Sequence, residues 1–318
     1  MTTGGGEFDL IARHFAPLAG PQGLNLLDDA ALLSPQPGYD LVFTADALIG
    51  GVHFRPHDPP DFIARKALRV NLSDLAAKGA DPVGYLLTIA WPIGTTSQTI
   101  EQFVQGLAHD QAEFGIRLFG GDTTVGPGPL TISLTAIGQV PAGTMIRRSG
   151  ARPGDLIFVS GTIGDGALGL DHPEITALNQ RYLLPEPRLT LGQSLRGQAT
   201  SSIDISDGLI SDASHIAKAS GVCLELDLDR VPLSPEVREL ISADPSVFAR
   251  ALTGGDDYEI LFTAPAANRN LLAGRASEIG CVTTGKGVVL SRKGLKGDPA
   301  KFGLGDLGYR HRFGEGSA

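Results

Sequence analysis

Short segments of strand-forming residues alternate along this chain with longer segments of helical periodicity. Strands are predicted over residues 41–44, 83–90, 116–119, 130–138, 156–159, 202–205, 223–228 and 258–263. Helices are predicted over residues 8–15, 62–78, 97–114, 187–196, 207–220 and 267–279, with Asp61 as the expected cap of the second. This alternation is typical of α/β (α+β mixed) proteins, in which helices pack against a sheet.

The segment between Pro141 and Pro153 separates the two halves of this pattern. We therefore expect two mixed α/β domains, over residues 1–140 and 141–318. The length of 318 residues agrees with this division, because a domain holds about 150 residues on average.

Charge and composition exclude several classes of function. The chain has 26 basic and 35 acidic residues and a net charge of −9, so it lacks the basic surface that nucleic acids require, and no nucleic-acid partner is expected. No apolar run approaches the ~18 residues of a membrane helix, so no membrane partner is expected. The two cysteines, Cys223 and Cys281, match neither a disulfide framework nor a zinc site. With no signal peptide in the first residues, a cytoplasmic protein is expected.

Aspartates recur beside glycine, serine or threonine where predicted strands and helices end. They include Asp28, Asp29, Asp46, Asp74, Asp122, Asp204, Asp207, Asp256 and Asp257. Each one alone is explained by the preference of Asp for turns and helix caps. Their repetition also suits Mg²⁺, which binds carboxylates, water and phosphate oxygens and takes only one or two carboxylates per ion.

Asp74 illustrates the two interpretations. The predicted helix around it is apolar on most of its circumference, and Asn71 and Asp74 lie on one face. That face is either a solvent-exposed stripe with an Asp74–Lys78 pair or a buried carboxylate that needs a partner such as a metal cluster.

Two glycine-containing segments leave similar alternatives open. Gly120, Gly121 and Asp122 follow a predicted strand, where paired glycines suit either a hairpin turn or close approach to a phosphate. Asp204, Ser206 and Asp207 end another strand, where they suit either a helix cap or a ligand site. By contrast, Gly280 to Lys286 only imitates a phosphate-binding loop, because Gly287 replaces the required Ser or Thr and a strand, not a helix, follows.

Eight short segments, in order over nearly the whole chain, resemble the thiamine-monophosphate kinase family of the aminoimidazole-ribonucleotide-synthetase-like ATP-binding superfamily. They include Asp28-Asp29-Ala-Ala-Leu, Asp46 to Phe54, Lys66 to Ala77, Gly120 to Thr124, Arg148 to Asp155, Asp204 to Asp212 and Gly254 to Glu259. The resemblance implies transfer of the ATP γ-phosphate to thiamine monophosphate with several Mg²⁺ ions. It also implies a homodimer formed through an N-terminal domain of the superfamily type.

The resemblance further implies roles for individual residues. Metal ligands are expected at Asp29, Thr44, Ala45, Asp46, Asp74, Asp122, Asp204 and Asp207. Nucleotide contacts are expected at Gly121, Asp122, Arg148 and Ser206, and contacts to thiamine monophosphate at His53, Asp256 and Tyr309. The residues expected to act most directly in transfer are Asp74, Asp207 and Arg148.

Two positions depart from the family's pattern. Leu27 stands where glycine usually precedes the acidic pair, and Ala45 stands where threonine is usual. A metal contact through a hydroxyl at position 45 would be lost, whereas one through the backbone carbonyl would survive. The alternatives to a thiamine-phosphate kinase are a relative with another acceptor and a catalytically silent nucleotide-binding protein. A selenide-activating relative would carry a reactive cysteine near its N-terminus, and residues 1–15 contain none.

Overall fold

A computed structural model describes residues 7–304 and 307–309. The chain divides into two compact units, Met1–Met145 and Ile146–Ala318. One sheet has four strands and the other has seven, and helices accompany both. The mixed α/β class predicted from the sequence is confirmed.

The N-terminal unit is built on the four-stranded sheet, in the order β1-β4-β2-β3. Strands β1 and β2 both pair antiparallel with β4, whereas β2 and β3 are parallel. The elements are α1 (Glu7–Leu10), β1 (Tyr39–Ile49), α2 (Pro60–Ala77), β2 (Asp81–Pro92), α3 (Ser97–Phe114), β3 (Arg117–Gly126) and β4 (Thr131–Pro141).

Local sequence signals explain the helix ends in this unit. Thr96 caps α3 by accepting the N–H of Thr99 at 3.2 Å, and Gly115 ends it in the left-handed conformation. The predicted cap of α2 is wrong. Its N-cap position is Pro59, and Asp61 lies inside the first turn because Pro60 can begin the helix with its fixed φ.

Two strands are longer than predicted. Residues 45–49 continue β1, paired with residues 131–135 of β4, and residues 120–126 continue β3, paired with residues 86–92 of β2. Glycine and aspartate have low strand propensity, but pairing with a neighbouring strand overrides that local preference.

The C-terminal unit is built on the seven-stranded sheet, in the order β11-β10-β7-β9-β5-β8-β6. Aliphatic side chains from its strands and its longest helix form the core. The strands are β5 (Asp155–Val159), β6 (Ser201–Asp204), β7 (Cys223–Asp227), β8 (Ile260–Pro265), β9 (Ser277–Thr283), β10 (Gly287–Arg292) and β11 (Leu295–Gly297). The helices are α4 (Asp165–Asp171), α5 (Thr176–Leu183), α6 (Leu189–Ser194), α7 (Leu209–Ser220), α8 (Pro235–Ala243), α9 (Val247–Thr253) and α10 (Arg269–Leu272).

The helix predicted over residues 267–279 is largely wrong. Only a 3-10 turn over Ala266–Asn268 and the short helix α10 form there. Gly274, at φ +74°, then turns the chain into β9, which lies between β5 and β7. The rejection of a phosphate-binding loop at residues 280–286 is confirmed, since β10 follows it. Among the described residues, no helix is long and apolar enough to cross a membrane.

Candidate active site

Thr44, Asp46 and Asp74 form a polar cluster between β1 and α2. Strand alternation points Thr44 and Asp46 to the same face of the sheet, and the Thr44 hydroxyl donates a hydrogen bond to Oδ2 of Asp74. Burial raises the pKa of Asp46 to about 6, and the negative charge of Asp74 contributes to the same shift. Asp74 therefore faces β1 and a second carboxylate.

This cluster fits a hard divalent cation. Its donors are carboxylate and hydroxyl oxygens, which Mg²⁺ prefers, and a cation would relieve the repulsion between the two carboxylates. Asn71 is buried one turn before Asp74, and its Oδ1 has no hydrogen-bond partner among residues 7–304 and 307–309. The face of α2 that Asn71 shares with Asp74 therefore carries a further oxygen that a cation could bind.

Asp46 should make the metal-free protein less stable as the pH rises. The unfolded Asp46 loses its proton near its ordinary pKa of 3.8, whereas the folded residue keeps it up to about 6. The unfolded state therefore binds fewer protons in this interval, and the free energy of unfolding falls between about pH 4 and about pH 6. Urea unfolding in EDTA measures it, and Asp46→Asn should remove part of the slope. An identical slope in that variant would contradict the shift.

Asp29, Gly121 and Asp122 line a cavity of about 730 Å³ in the N-terminal unit. Apolar side chains such as Phe43 and Leu86 form much of its wall, and Asp28, Asp29 and Asp122 supply acidic groups. Asp28 orients its neighbour by accepting the N–H of Asp29 at 2.8 Å. An apolar wall beside carboxylates suits a ligand with a flat base and a metal-bound phosphate chain.

The backbone conformation at Leu27 explains why leucine can stand where glycine usually precedes the acidic pair. Leu27 has φ −103° and ψ −6°, in the right-handed region open to every residue, so the position does not need glycine.

Gly121 has a structural reason to be glycine. A Cβ at this position would lie 1.7 Å from the carbonyl oxygen of Leu87 in β2. The pairing of β2 with β3 therefore requires Gly121, and the hairpin-turn alternative is wrong because residues 120–124 lie within a strand.

Two other predicted residues of this unit have positions that limit their roles. Ala45 alternates with Thr44 and Asp46, so its side chain lies on the opposite face of β1 and only its carbonyl remains for a metal contact. Nδ1 of His53 accepts the N–H of Ile49 at 3.0 Å, which fixes this ring nitrogen as an acceptor.

In the C-terminal unit, residues 205–208 connect β6 to α7. The N-cap of α7 is Gly208, which has no side chain, so capping by Ser206 or Asp207 is wrong. Instead, the N–H groups of Ser206, Asp207 and Gly208 donate to Oδ2 of Asp212, at 3.1, 3.2 and 3.2 Å.

Asp212 is a further candidate site residue, which sequence reasoning missed. It is buried, and burial together with the charges of Asp204 and Asp207 raises its pKa well above the ordinary value. Ligand atoms of Asp207, Asp212 and His215 lie within 4.8 Å of one another. The sequence signal that could have identified Asp212 is that it is a third aspartate, one helical turn after Gly208.

The backbones of Asp256 and Tyr309 are hydrogen-bonded to the connection formed by residues 205–208. The N–H of Asp256 donates to the carbonyl of Ser206, and the N–H of Tyr309 to that of Asp207, both at 2.9 Å. The C-terminal unit thus brings together Asp204, Ser206, Asp207, Asp256 and Tyr309.

Arg148 lies apart from this group. Its carbonyl accepts a bond from Ser220 at 3.4 Å, at the C-terminal end of α7, and its side chain is exposed. The 12 residues of α7 span about 17 Å, so Arg148 is far from the Asp207 end. A nucleotide contact by Arg148 stays a prediction.

Comparisons with known proteins agree with this architecture. The model of the AIR synthase related protein, N-terminal domain, matches residues 27–140, and that of the C-terminal domain matches residues 152–293. The chain therefore has the paired domains of AIR synthase related proteins.

Individual relatives make the family assignment more specific. A thiamine-monophosphate kinase of Caulobacter vibrioides is 46% identical over 93% of this chain and 90% of its own length. The crystal structure of thiamine-monophosphate kinase from Stenotrophomonas maltophilia has 41% identity, covers 85% of this chain and 90% of that chain, and has a TM-score of 0.78. A structure of AaThiL complexed with AMPPCP and TMP has 33% identity, covers 83% and 87%, and has a TM-score of 0.76. The chain belongs to the thiamine-monophosphate kinase family, which confirms the resemblance.

Proposed function

We propose that this protein transfers the γ-phosphate of ATP to thiamine monophosphate, forming thiamine diphosphate in a Mg²⁺-dependent reaction. The observation that carries the proposal is the cluster of Thr44, Asp46 and Asp74, whose paired carboxylates suit a divalent cation. The names of the relatives and the AMPPCP and TMP held by AaThiL support the two substrates.

The transfer is proposed to be direct and in line. Bound Mg²⁺ would neutralise phosphate charge as the bond to the leaving ADP breaks. In the N-terminal unit, Asp29 and Asp122 would hold ions at the cavity, and Asp46 and Asp74 would hold an ion at their own cluster, on the other face of the sheet. In the C-terminal unit, Asp204 and Asp207 would hold ions. Arg148 would donate to a phosphate. The acceptor needs no general base, because a phosphate monoester with a second pKa of about 6 is largely ionised near neutral pH.

We assign the nucleotide to the cavity lined by Asp29, Gly121 and Asp122. Its volume of about 730 Å³ falls within the ~300–1,000 Å³ typical of small-molecule sites. The apolar wall suits the adenine ring, and the acidic side suits a metal-bound triphosphate.

Tyr309 is assigned to the acceptor, with Asp256 and His53. The thiazolium ring is cationic and the aminopyrimidine is flat, so an aromatic and an acidic side chain suit them. The Tyr309 side chain is 46% exposed, which leaves its ring accessible to a ligand. We expect Tyr309→Ala to raise the KM for thiamine monophosphate and to leave the affinity for an ATP analogue unchanged. Loss of both together would make Tyr309 a packing residue only.

We also propose a homodimer in the cytoplasm. Phe43 is 61% exposed and Leu86 is 40% exposed, on the face of the four-stranded sheet opposite Thr44 and Asp46. Both also line the cavity assigned to the nucleotide, so a second copy seated on this apolar surface would cover the wall of that cavity. Sedimentation velocity should give a dimer for the native protein and a monomer for Phe43→Glu. A native monomer at micromolar concentration would contradict the assignment. The free thiols of Cys223 and Cys281 agree with a reducing compartment.

Acceptor-dependent release of ADP separates the proposed kinase from its rivals. With ATP and Mg²⁺, ADP should appear rapidly with thiamine monophosphate but not with thiamine or without acceptor. Turnover with ATP alone, unaffected by thiamine monophosphate, would mean that the phosphate is transferred to water and would contradict the proposed acceptor. Binding of an ATP analogue with no turnover in any mixture would indicate a silent nucleotide-binding protein.

A further inference from the structure

Glu259 is a fully buried carboxylate that the proposed reaction does not use. Its Oε2 accepts hydrogen bonds from Ser160 Oγ at 2.5 Å and Arg188 Nε at 2.7 Å. Its Oε1 accepts from Arg188 Nη2 at 2.6 Å and Arg181 Nη2 at 2.7 Å. We call Ser160, Arg181, Arg188 and Glu259 the Glu259 cluster.

The Glu259 cluster joins separate parts of the C-terminal unit. Ser160 follows β5, Arg181 lies in α5, Arg188 precedes α6, and Glu259 precedes β8. Gly161, at φ +52°, leaves the space that Glu259 occupies, because a Cβ there would lie 2.0 Å from Oε1. Charge-assisted bonds of this kind fix both position and orientation.

The backbone directly before Glu259 is strained. Asp256 has φ +62° and Tyr258 has φ +53°, in the left-handed region that non-glycine residues rarely adopt. Such conformations persist only when the surrounding structure holds them, and they concentrate at functional sites.

Hydrogen bonds hold this strained segment from two sides. The carboxylate of Asp257, between the two strained residues, accepts N–H bonds from Gly164 at 2.9 and 3.1 Å and from Gly166 at 3.2 Å. The carbonyl of Glu259 accepts the N–H of Ile205, and the carbonyl of Ile205 accepts the N–H of Tyr258, both at 2.8 Å. A shift of Glu259 would therefore move both the segment carrying Asp256 and the connection carrying Ser206.

We propose that the Glu259 cluster positions Asp256 for recognition of the thiamine moiety, by holding residues 254–258 in their strained conformation. Glu259, Arg181 and Arg188 are positioning residues, since they act through Asp256. The inference rests on the proposed function, because it requires thiamine monophosphate as the acceptor.

Glu259→Gln tests the inference, because it keeps the side-chain shape and removes the charge that both arginines share. We expect the KM for thiamine monophosphate to rise by at least about tenfold, since a displacement of ~1 Å at a binding group can cost up to about a hundredfold. The affinity for AMPPCP, measured by isothermal titration, should stay within about twofold. Arg188→Lys keeps the charge but loses the two-pronged contact, and it should raise the KM in the same direction by less.

Asp110→Asn is the matched control. Asp110 is likewise fully buried and bonded to two arginines, Arg65 and Arg69, but it lies in α3 of the N-terminal unit. Asp110→Asn should lower the melting temperature without changing the KM for thiamine monophosphate.

Asp256→Asn distinguishes failure of the inference from failure of the proposed function. If Asp256→Asn raises the KM and neither Glu259→Gln nor Arg188→Lys does, the positioning role is wrong and the function stands. If these two variants lose AMPPCP binding in parallel with acceptor binding, the cluster only maintains the fold and the inference is wrong. If the wild type does not phosphorylate thiamine monophosphate, the proposed function and the inference fall together. If Asp256→Asn has no effect on the KM, Asp256 does not recognise the acceptor, and the inference falls while the function stands.

Discussion

Replacement of Asp74 by asparagine should reduce kcat by roughly a hundredfold to a thousandfold, the range seen when one charge-stabilising group is lost from an active site. The amide keeps the size of the side chain and can still accept the Thr44 hydroxyl bond. What it loses is the negative charge beside Asp46, and with it the affinity of the cluster for a cation. Steady-state kinetics across a Mg²⁺ titration measures the effect.

The stability of this variant separates function from fold. The charge of Asp74 is one cause of the raised pKa of Asp46, so removing it relieves repulsion in the metal-free protein. Asp74→Asn should therefore unfold in EDTA at a urea concentration equal to or above that of the wild type. Asp61→Asn, in the first turn of the same helix, is the control, and its kcat should stay within about twofold. Wild-type turnover in Asp74→Asn at saturating Mg²⁺ would remove Asp74 from the site.

Gly121→Ala should lower the free energy of unfolding by about 1–3 kcal/mol or more, the cost of forcing a methyl group into a filled space. The methyl would lie 1.7 Å from the carbonyl oxygen of Leu87, and the backbone of a paired strand cannot move aside without breaking the β2–β3 ladder. Asp122 would be displaced with it, so activity should fall as well. Urea unfolding and ADP release measure the two effects.

Gly120→Ala is the control for the adjacent glycine. The nearest atom to its added methyl would be Cδ2 of Leu86 at 3.6 Å, an ordinary contact. We expect a change in stability below about 1 kcal/mol. Equal losses of activity in Gly120→Ala and Gly121→Ala would mean that both glycines serve a bound phosphate and that strand pairing is not the deciding factor.

Local patterns predicted the elements whose ends carry their own signals. The span of α3 was predictable because Thr96 caps it and Gly115 ends it. The C-terminal halves of β1 and β3 were not predictable, because Asp46, Gly121 and Asp122 are turn-forming residues. Their strand conformation depends on pairing with β4 and β2. Residues 267–279 show the same limit, since the chain there leaves a short helix for the strand β9, which pairs with β5 and β7.

The site residues likewise divide into those that motif resemblance predicts and those whose roles depend on contacts in the folded chain. Motif resemblance predicted Asp46 and Asp74, and the structure adds that Thr44 bonds to Asp74 and that burial raises the pKa of Asp46 to about 6. Asp212 and Glu259 lie in the matching motifs, but their roles depend on partners in space: three N–H groups for Asp212, and two arginines 71 and 78 residues away for Glu259. No spacing rule in one sequence identifies contacts as distant as those of Glu259.

The measurement that tests the account most directly follows the transferred phosphate itself. The protein is incubated with thiamine monophosphate, Mg²⁺ and ATP radiolabelled on its γ-phosphate, and the products are separated by chromatography. We predict label in thiamine diphosphate with the wild type, and almost none with EDTA or with Asp74→Asn. Label that appears only as inorganic phosphate, or that reaches thiamine diphosphate equally well in EDTA, would contradict a Mg²⁺-dependent thiamine-phosphate kinase.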